Sequence, residues 1–97
     1  FHSNFTPLEW AIPEERQKNV CHCKLVCNKG EDLKVVGFHF LGPNAGEVTQ
    51  GVGVAMKLGA TYQHFVDTVG IHPTNAEVFT TLSVTKASGE SADDDGC

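Results

Sequence analysis

The residues most able to do chemistry in this sequence are a histidine and a glutamate in its last third. His72 precedes Pro73, and Glu77 follows the histidine by five positions. Proline fixes its own φ and restricts the preceding residue to extended conformations, which limits the backbone of His72. A carboxylate near an imidazole stabilises the protonated ring and fixes its tautomer. The pair therefore has the composition of a general acid and base.

A purely structural role for the same residues is also open. The segment from Thr74 to Glu77 has the spacing of a capping box, in which a threonine and a glutamate satisfy the first amides of a helix. In that case Glu77 begins a helix and His72 is a surface loop residue. Capping boxes are common, so spacing alone favours the structural interpretation.

The second candidate is the thiol of Cys97, the last residue of the chain. A thiol at the end of a flexible segment is accessible for disulfide exchange. Three aspartates and the terminal carboxylate lie beside it, and their charges disfavour the thiolate. They are Asp93, Asp94 and Asp95. An inert cysteine is therefore the alternative, and a reactive one needs activation from elsewhere.

Three further cysteines, Cys21, Cys23 and Cys27, lie close together in a segment that alternates like a strand. A single residue separates Cys21 from Cys23, which is shorter than a zinc knuckle requires, and no second knuckle follows. Free cysteine is among the most often buried residue types. We therefore expect core residues, no metal site and a reducing compartment.

Composition indicates one globular domain. The chain has 97 residues, of which 40% are hydrophobic and 20% charged, enough for a single modest core. Its net charge is -5, and the absence of a basic stripe argues against nucleic acid as a partner. The apolar stretches are too short to span a membrane. The chain begins without Met, which we interpret as a cut from a longer protein or a processed product.

Hydrophobic periodicity predicts an α+β domain, with strands first and helices after them. The predicted elements are an edge strand at 5–12, a central hairpin of strands at 20–28 and 33–41, and helices at 44–58, from Thr61 onward, and at about 75–84. The result is a mainly antiparallel sheet packed against about three helices.

Two of these helices have a definite apolar side. The first places Val48, Val52, Ala55, Met56 and Gly59 on one side, and the second Tyr62, Phe65, Val66 and Val69. The first also contains Gly46, Gly51 and Gly53. Each glycine costs a helix about 0.5–1 kcal/mol relative to alanine, so we expect the close approach of another backbone there.

Long stretches of the chain resemble the animal thioredoxin reductases. The stretches are Gly42–Gly51 and Gly70–Lys86, with shorter matches at Pro7–Trp10 and Val36–His39. The similarity covers nearly the whole chain, which is similar to the C-terminal interface, or dimerisation, domain of those flavoproteins. That architecture is shared with glutathione reductase and is the dimerisation-domain type of the FAD/NAD-linked reductases.

The resemblance implies roles for the candidate residues. His72 and Glu77 match the family's acid/base pair, which acts at the dimer interface on the dithiol beside the flavin of the partner subunit, with Pro73 also near that flavin. Residues 1–86 are then the interface domain.

The resemblance also assigns the C-terminal segment. Residues 87–97 are then a flexible acidic tail ending in a redox cysteine. Selenium-containing members end Gly-Cys-selenocysteine-Gly, so Cys97 is the expected partner of a selenocysteine that does not follow it here.

The implied full-length enzyme is a homodimer that reduces thioredoxin with NADPH through FAD. We expect it in the cytoplasm, and a mitochondrial form is the alternative. The isolated chain is expected to bind neither cofactor and to be inactive. A purely structural dimerisation module without chemistry is the alternative, and a small zinc protein built on the Cys21 cluster is the third.

Overall fold

The computed structural model describes residues 1–6 and 20–93. In chain order the elements are β1 (His2–Phe5), β2 (Cys21–Asn28), β3 (Lys34–Leu41), α1 (Ala45–Lys57), α2 (Tyr62–Asp67) and two 3₁₀ helices, η1 (Asn75–Thr80) and η2 (Lys86–Ser88). The strands form one antiparallel sheet in the order β1-β2-β3. The predicted α+β class, with an antiparallel sheet and about three helices, is confirmed.

The central hairpin is formed by β2 and β3, as the alternating pattern predicts. Cys23 pairs with Phe40, and Leu25 pairs with Phe38. The turn is closed by Asn28, whose side-chain oxygen accepts a hydrogen bond from the Gly30 amide at 2.9 Å. Such a side-chain contact to the backbone two residues on is the turn chemistry that asparagine favours.

The first strand is β1, and it differs from the prediction of a strand at 5–12. It begins at His2 and ends at Phe5, and residues 7–12 lie outside the described part of the chain. Of its four residues only Phe5 has high strand propensity. Pairing with β2 from His2↔Lys24 to Phe5↔Cys21 overrides that propensity.

The core lies on the inner face of the sheet. It consists of Phe5, Cys21, Cys23, Leu25, Val35, Phe79 and Leu82. The expectation that Cys21 and Cys23 are core residues is confirmed, since both are at most 1% exposed. Cys27 is only half-buried because the register shifts between Val26 and Cys27 and breaks the alternation.

Helix α1 confirms the predicted glycine-rich helix. Its apolar side is half-buried, with Val48 and Met56 against the core. It ends at Lys57, and Gly59, just after the C-cap, takes the left-handed conformation (φ 79°) and donates its amide to the Met56 carbonyl. A Cβ added at Gly46, Gly51 or Gly53 would meet no atom within 4 Å. The expected close approach of another backbone is therefore not made by the described residues.

Helix α2 begins after Thr61, as predicted. The Thr61 amide donates to Nδ1 of His64 at 2.9 Å, so the histidine takes the place that glutamate has in a capping box. The helix ends at Asp67. Val69, predicted on its apolar side, lies beyond it and is 89% exposed, so that assignment was wrong.

The third predicted helix, 75–84, is shorter and tighter than expected. Only Asn75–Thr80 is helical, and it is a 3₁₀ helix. Thr80 and Thr81 donate their hydroxyls to the carbonyls three residues earlier, at 2.7 and 3.3 Å. β-Branched residues and such hydroxyl contacts both work against continued α-helix. Leu82 then enters the core, and the Tyr62 hydroxyl donates to its carbonyl.

Within residues 1–6 and 20–93, no helix is long and apolar enough to cross a membrane.

Candidate acid/base site

The structure brings His72 and Glu77 together. Nδ1 of His72 lies 2.9 Å from Oε1 of Glu77. A carboxylate only accepts hydrogen bonds, so Nδ1 carries the proton and Nε2 of the neutral ring is left as the proton acceptor. The His72 side chain is 73% exposed and Glu77 is 32% exposed. The site therefore presents one oriented imidazole nitrogen to whatever approaches the domain.

The loop before η1 is fixed by its own side chains. Thr74 donates its hydroxyl to the Ile71 carbonyl at 2.7 Å, and the Asn75 amide group donates to the Pro43 carbonyl at 3.1 Å. The peptide bond between His72 and Pro73 is cis. These contacts connect the histidine loop to the start of η1 and to the turn before α1.

The capping-box interpretation of Glu77 is wrong. No side chain caps η1 at Thr74, and the threonine hydroxyl is directed to Ile71 instead. The Glu77 amide donates to the backbone carbonyl of Thr74, at 3.4 Å. The Glu77 carboxylate therefore accepts its hydrogen bond from His72. This is the alternative that the spacing of the residues alone did not favour.

The helix η1 is anchored two residues after Glu77. Phe79 is 3% exposed, and its ring lies 4.8 Å from Phe38, 5.8 Å from Phe40 and 6.4 Å from Phe65, centroid to centroid. Tilted contacts at these separations are favourable between aromatic rings. The carboxylate that orients His72 therefore projects from an element fixed in the core.

Gly70 passes close to η1 beneath the site, a contact that the sequence did not predict. A Cβ there would lie 2.9 Å from Oγ1 of Thr80 and 3.0 Å from Cβ of Glu77. Only a glycine lets the chain pass the base of η1 so closely. Nothing in the local pattern distinguishes it from an ordinary loop glycine.

Substituting Gly70→Ala should therefore displace η1. We expect a loss of about 1–3 kcal/mol in the free energy of unfolding, the usual cost of overpacking, and a longer contact between His72 and Glu77. Urea unfolding and imidazole NMR of His72 would measure the two effects. Gly51→Ala is the matched control, because a Cβ there meets no atom within 4 Å. Equal behaviour of the two variants would contradict the predicted clash.

The thiols of Cys23 and Cys27 are poor nucleophiles. Burial raises the pKa of Cys23 to about 12 and also raises the pKa of Cys27. Thiolates do the chemistry of cysteine, so both are inert near neutral pH. No group of three or more His, Cys, Asp and Glu side chains in the described ranges could hold a metal ion. Cys97 lies outside those ranges.

The family model for the dimerisation domain of the pyridine nucleotide-disulphide oxidoreductases matches residues 1–83. The chain belongs to that family.

Two similar proteins carry the name thioredoxin reductase. The chain is 60% identical over 97 residues to thioredoxin reductase SEP1 of Emiliania huxleyi, covering all of this chain and 19% of that protein. It is 50% identical over 91 residues to the mitochondrial thioredoxin reductase 2 of Drosophila melanogaster, covering 92% of this chain and 17% of that protein. The chain is thus similar to thioredoxin reductases along its length, and it spans about a fifth of theirs.

Proposed function

We propose that this chain is the interface domain of a thioredoxin-disulfide reductase. In that role it supplies His72 and Glu77 as the acid/base pair for a dithiol of the partner subunit. The observation that carries the proposal is the 2.9 Å contact between Nδ1 of His72 and the Glu77 carboxylate, with the imidazole exposed. The contact fixes the ring so that Nε2 is available to an incoming thiol.

The proton balance follows from that geometry. Nε2 accepts a proton from a thiol, which leaves a thiolate beside an imidazolium that the Glu77 carboxylate stabilises. The thiolate attacks a disulfide sulfur, and the leaving sulfur takes up a proton from the same ring. His72 thus begins and ends the exchange in one protonation state.

Both cofactors of such an enzyme belong to other parts of the full-length protein. In the turn between β3 and α1, a Cβ at Gly42 would meet the Phe40 ring at 3.1 Å, so this ring fills the space beside the turn. FAD would supply the electrons to the dithiol, and NADPH would reduce FAD. Only His72 and Pro73 of this chain are proposed to lie near the flavin of the partner.

The C-terminal segment is proposed to carry the second redox centre. Cys97 would pair with a following selenocysteine in the full-length enzyme, as the resemblance implies. The acidic neighbours Asp94 and Asp95 disfavour the Cys97 thiolate, which suits a resolving rather than an attacking thiol. We propose a reducing compartment, the cytoplasm or the mitochondrion, since Cys23 and Cys27 are free thiols.

Subunit pairing is the second part of the proposal. Gly46 and Gly53 lie seven positions apart on one side of α1, where no described atom covers them. Val54 beside them is 57% exposed. We propose that this side of α1 packs against the partner subunit, which would give the helix glycines their reason. The uncovered glycine side of α1 is also the observation that favours the second candidate, a purely structural dimerisation module.

Gly53→Ala tests the packing side of α1. In the monomer the substitution should stabilise the helix by about 0.5–1 kcal/mol, since Gly is the poorer helix former. In the dimer the added methyl should clash and raise the dissociation constant about 5- to 150-fold, the equivalent of about 1–3 kcal/mol. Sedimentation equilibrium measures the dissociation constant of the dimer. Gly51→Ala is the control, because Gly51 lies on another side of α1. An unchanged dimer would mean that the partner does not contact Gly53.

The enzymatic proposal is tested on the full-length protein. Purified protein should oxidise NADPH when given oxidised thioredoxin and should show flavin absorbance. The 97-residue chain alone should do neither. A full-length protein without flavin or thioredoxin-dependent NADPH oxidation would leave only the structural module.

A further inference from the structure

The C-terminal segment is attached to the sheet at its outer strand. Asn4 of β1 makes two hydrogen bonds to this segment. Its amide nitrogen donates to the Ala92 carbonyl at 2.8 Å, and its side-chain Nδ2 donates to Oδ1 of Asp93, also at 2.8 Å. The acidic tail is therefore hydrogen-bonded to β1 immediately before the residues that lead to Cys97.

The orientation of Asn4 is set from the other side by β2. Nδ1 of His22 lies 2.6 Å from Oδ1 of Asn4. A carboxylate can only accept, so Asp93 requires the Nδ2 end of the amide and His22 must donate to the Oδ1 end. Only one orientation of the asparagine satisfies both neighbours, and that orientation aims its donor at Asp93.

We propose that Asn4, oriented by His22, is a positioning residue that fastens the tail to β1 at Asp93. The inference rests on the proposed redox role of Cys97. Such an anchor sets the distance that the Cys97 thiol can reach. Counted from Asp93, Cys97 is four residues away and reaches at most about 13–14 Å, whereas counted from Ala87 it would reach about 33–36 Å. The anchor therefore limits which disulfides Cys97 can meet.

The charges around His22 are compatible with this arrangement. Burial, and then the neighbouring His2, Lys24 and His39, lower the pKa of the ring. His22 therefore remains neutral at neutral pH, and its Nδ1–H donates to Asn4. Protonation at Nε2 would leave the Nδ1 donor in place, so the anchor does not depend on the charge of His22.

Hydrogen–deuterium exchange on the full-length protein tests the anchor without reference to activity. The Asn4 amide should exchange slowly, and Asp93→Ala should accelerate it about two- to tenfold, the effect of one lost hydrogen bond. Glu90→Ala is the matched control, because it removes a carboxylate from the same segment and leaves Asp93 in place. Asn4→Asp, which replaces the Nδ2 donor with a second carboxylate facing Asp93, should give the larger acceleration.

Two results would overturn the anchor. One is fast exchange of the Asn4 amide in the unchanged protein, and the other is equal exchange in Asp93→Ala and Glu90→Ala. Thioredoxin turnover of Cys97→Ser separates the anchor from the redox role. Full turnover together with an effect of Asp93→Ala on exchange would keep the anchor and remove the redox role. Lost turnover with no effect of Asp93→Ala would overturn the anchor alone.

Discussion

Replacing His72 with glutamine in the full-length enzyme is expected to lower thioredoxin turnover by about 10²- to 10⁴-fold, the usual contribution of a general acid and base. Glutamine has a similar length and still hydrogen-bonds, but it neither accepts nor releases a proton near neutral pH. The contact with Glu77 is on the surface, and His72 is 73% exposed, so folding should be unaffected. Steady-state kinetics with NADPH and thioredoxin measure the effect.

The control for His72→Gln is His39→Gln. His39 is an exposed histidine of β3 outside the acid/base pair, and its replacement should leave turnover within twofold. Flavin content, dimer mass and melting temperature should match the unchanged protein in both variants. A His72→Gln enzyme with a normal rate would remove the catalytic assignment and favour the structural dimerisation module.

Substituting Phe79→Ala should destabilise the domain more than any surface change. The ring is 3% exposed and contacts three other aromatic rings. Truncation of a buried phenylalanine costs about 3–5 kcal/mol, because it loses both transfer free energy and packing around the cavity. The loss is a large fraction of the roughly 5–15 kcal/mol that stabilises a typical domain. Urea unfolding of the chain measures it.

Val69→Ala is the control for the core substitution. Val69 is 89% exposed, so its truncation should change the free energy of unfolding by less than about 0.5 kcal/mol. Phe79→Leu keeps part of the buried volume and should fall between the two. A loss below about 1 kcal/mol for Phe79→Ala would show that η1 is not anchored through this ring.

Much of the fold could be predicted because periodicity records burial. The alternation of Cys21, Cys23 and Leu25 predicted one buried face of β2, and the side of α1 that carries Val48 and Met56 is the half-buried one. A strand at residues 2–4 was not predicted, because β1 is stabilised by its pairing with β2. The helix predicted at 75–84 was too long because the threonine hydroxyls that favour a 3₁₀ turn are invisible to periodicity.

The candidate site was predictable only in part. Spacing placed His72 and Glu77 near each other but could not decide where the carboxylate points, since that depends on the Thr74 hydroxyl turning to Ile71. The contact between Asn4 and Asp93 joins residues 89 positions apart. No local pattern reports such a contact, because it arises only once the chain has folded.

The short helix η1 carries Glu77 toward the surface and Phe79 into the core, two residues apart on one element. Sequence changes among the solvated residues around His72 therefore have little effect on the orientation of its imidazole. That orientation depends on η1, which is packed on a cluster of phenylalanines. Surface loops of this domain can therefore change in sequence while the His72 imidazole keeps its orientation. The segment from Gly70 to Leu82 could therefore be transferred to another scaffold only if that scaffold supplied an aromatic cluster for Phe79 and an acceptor for the Asn75 side chain.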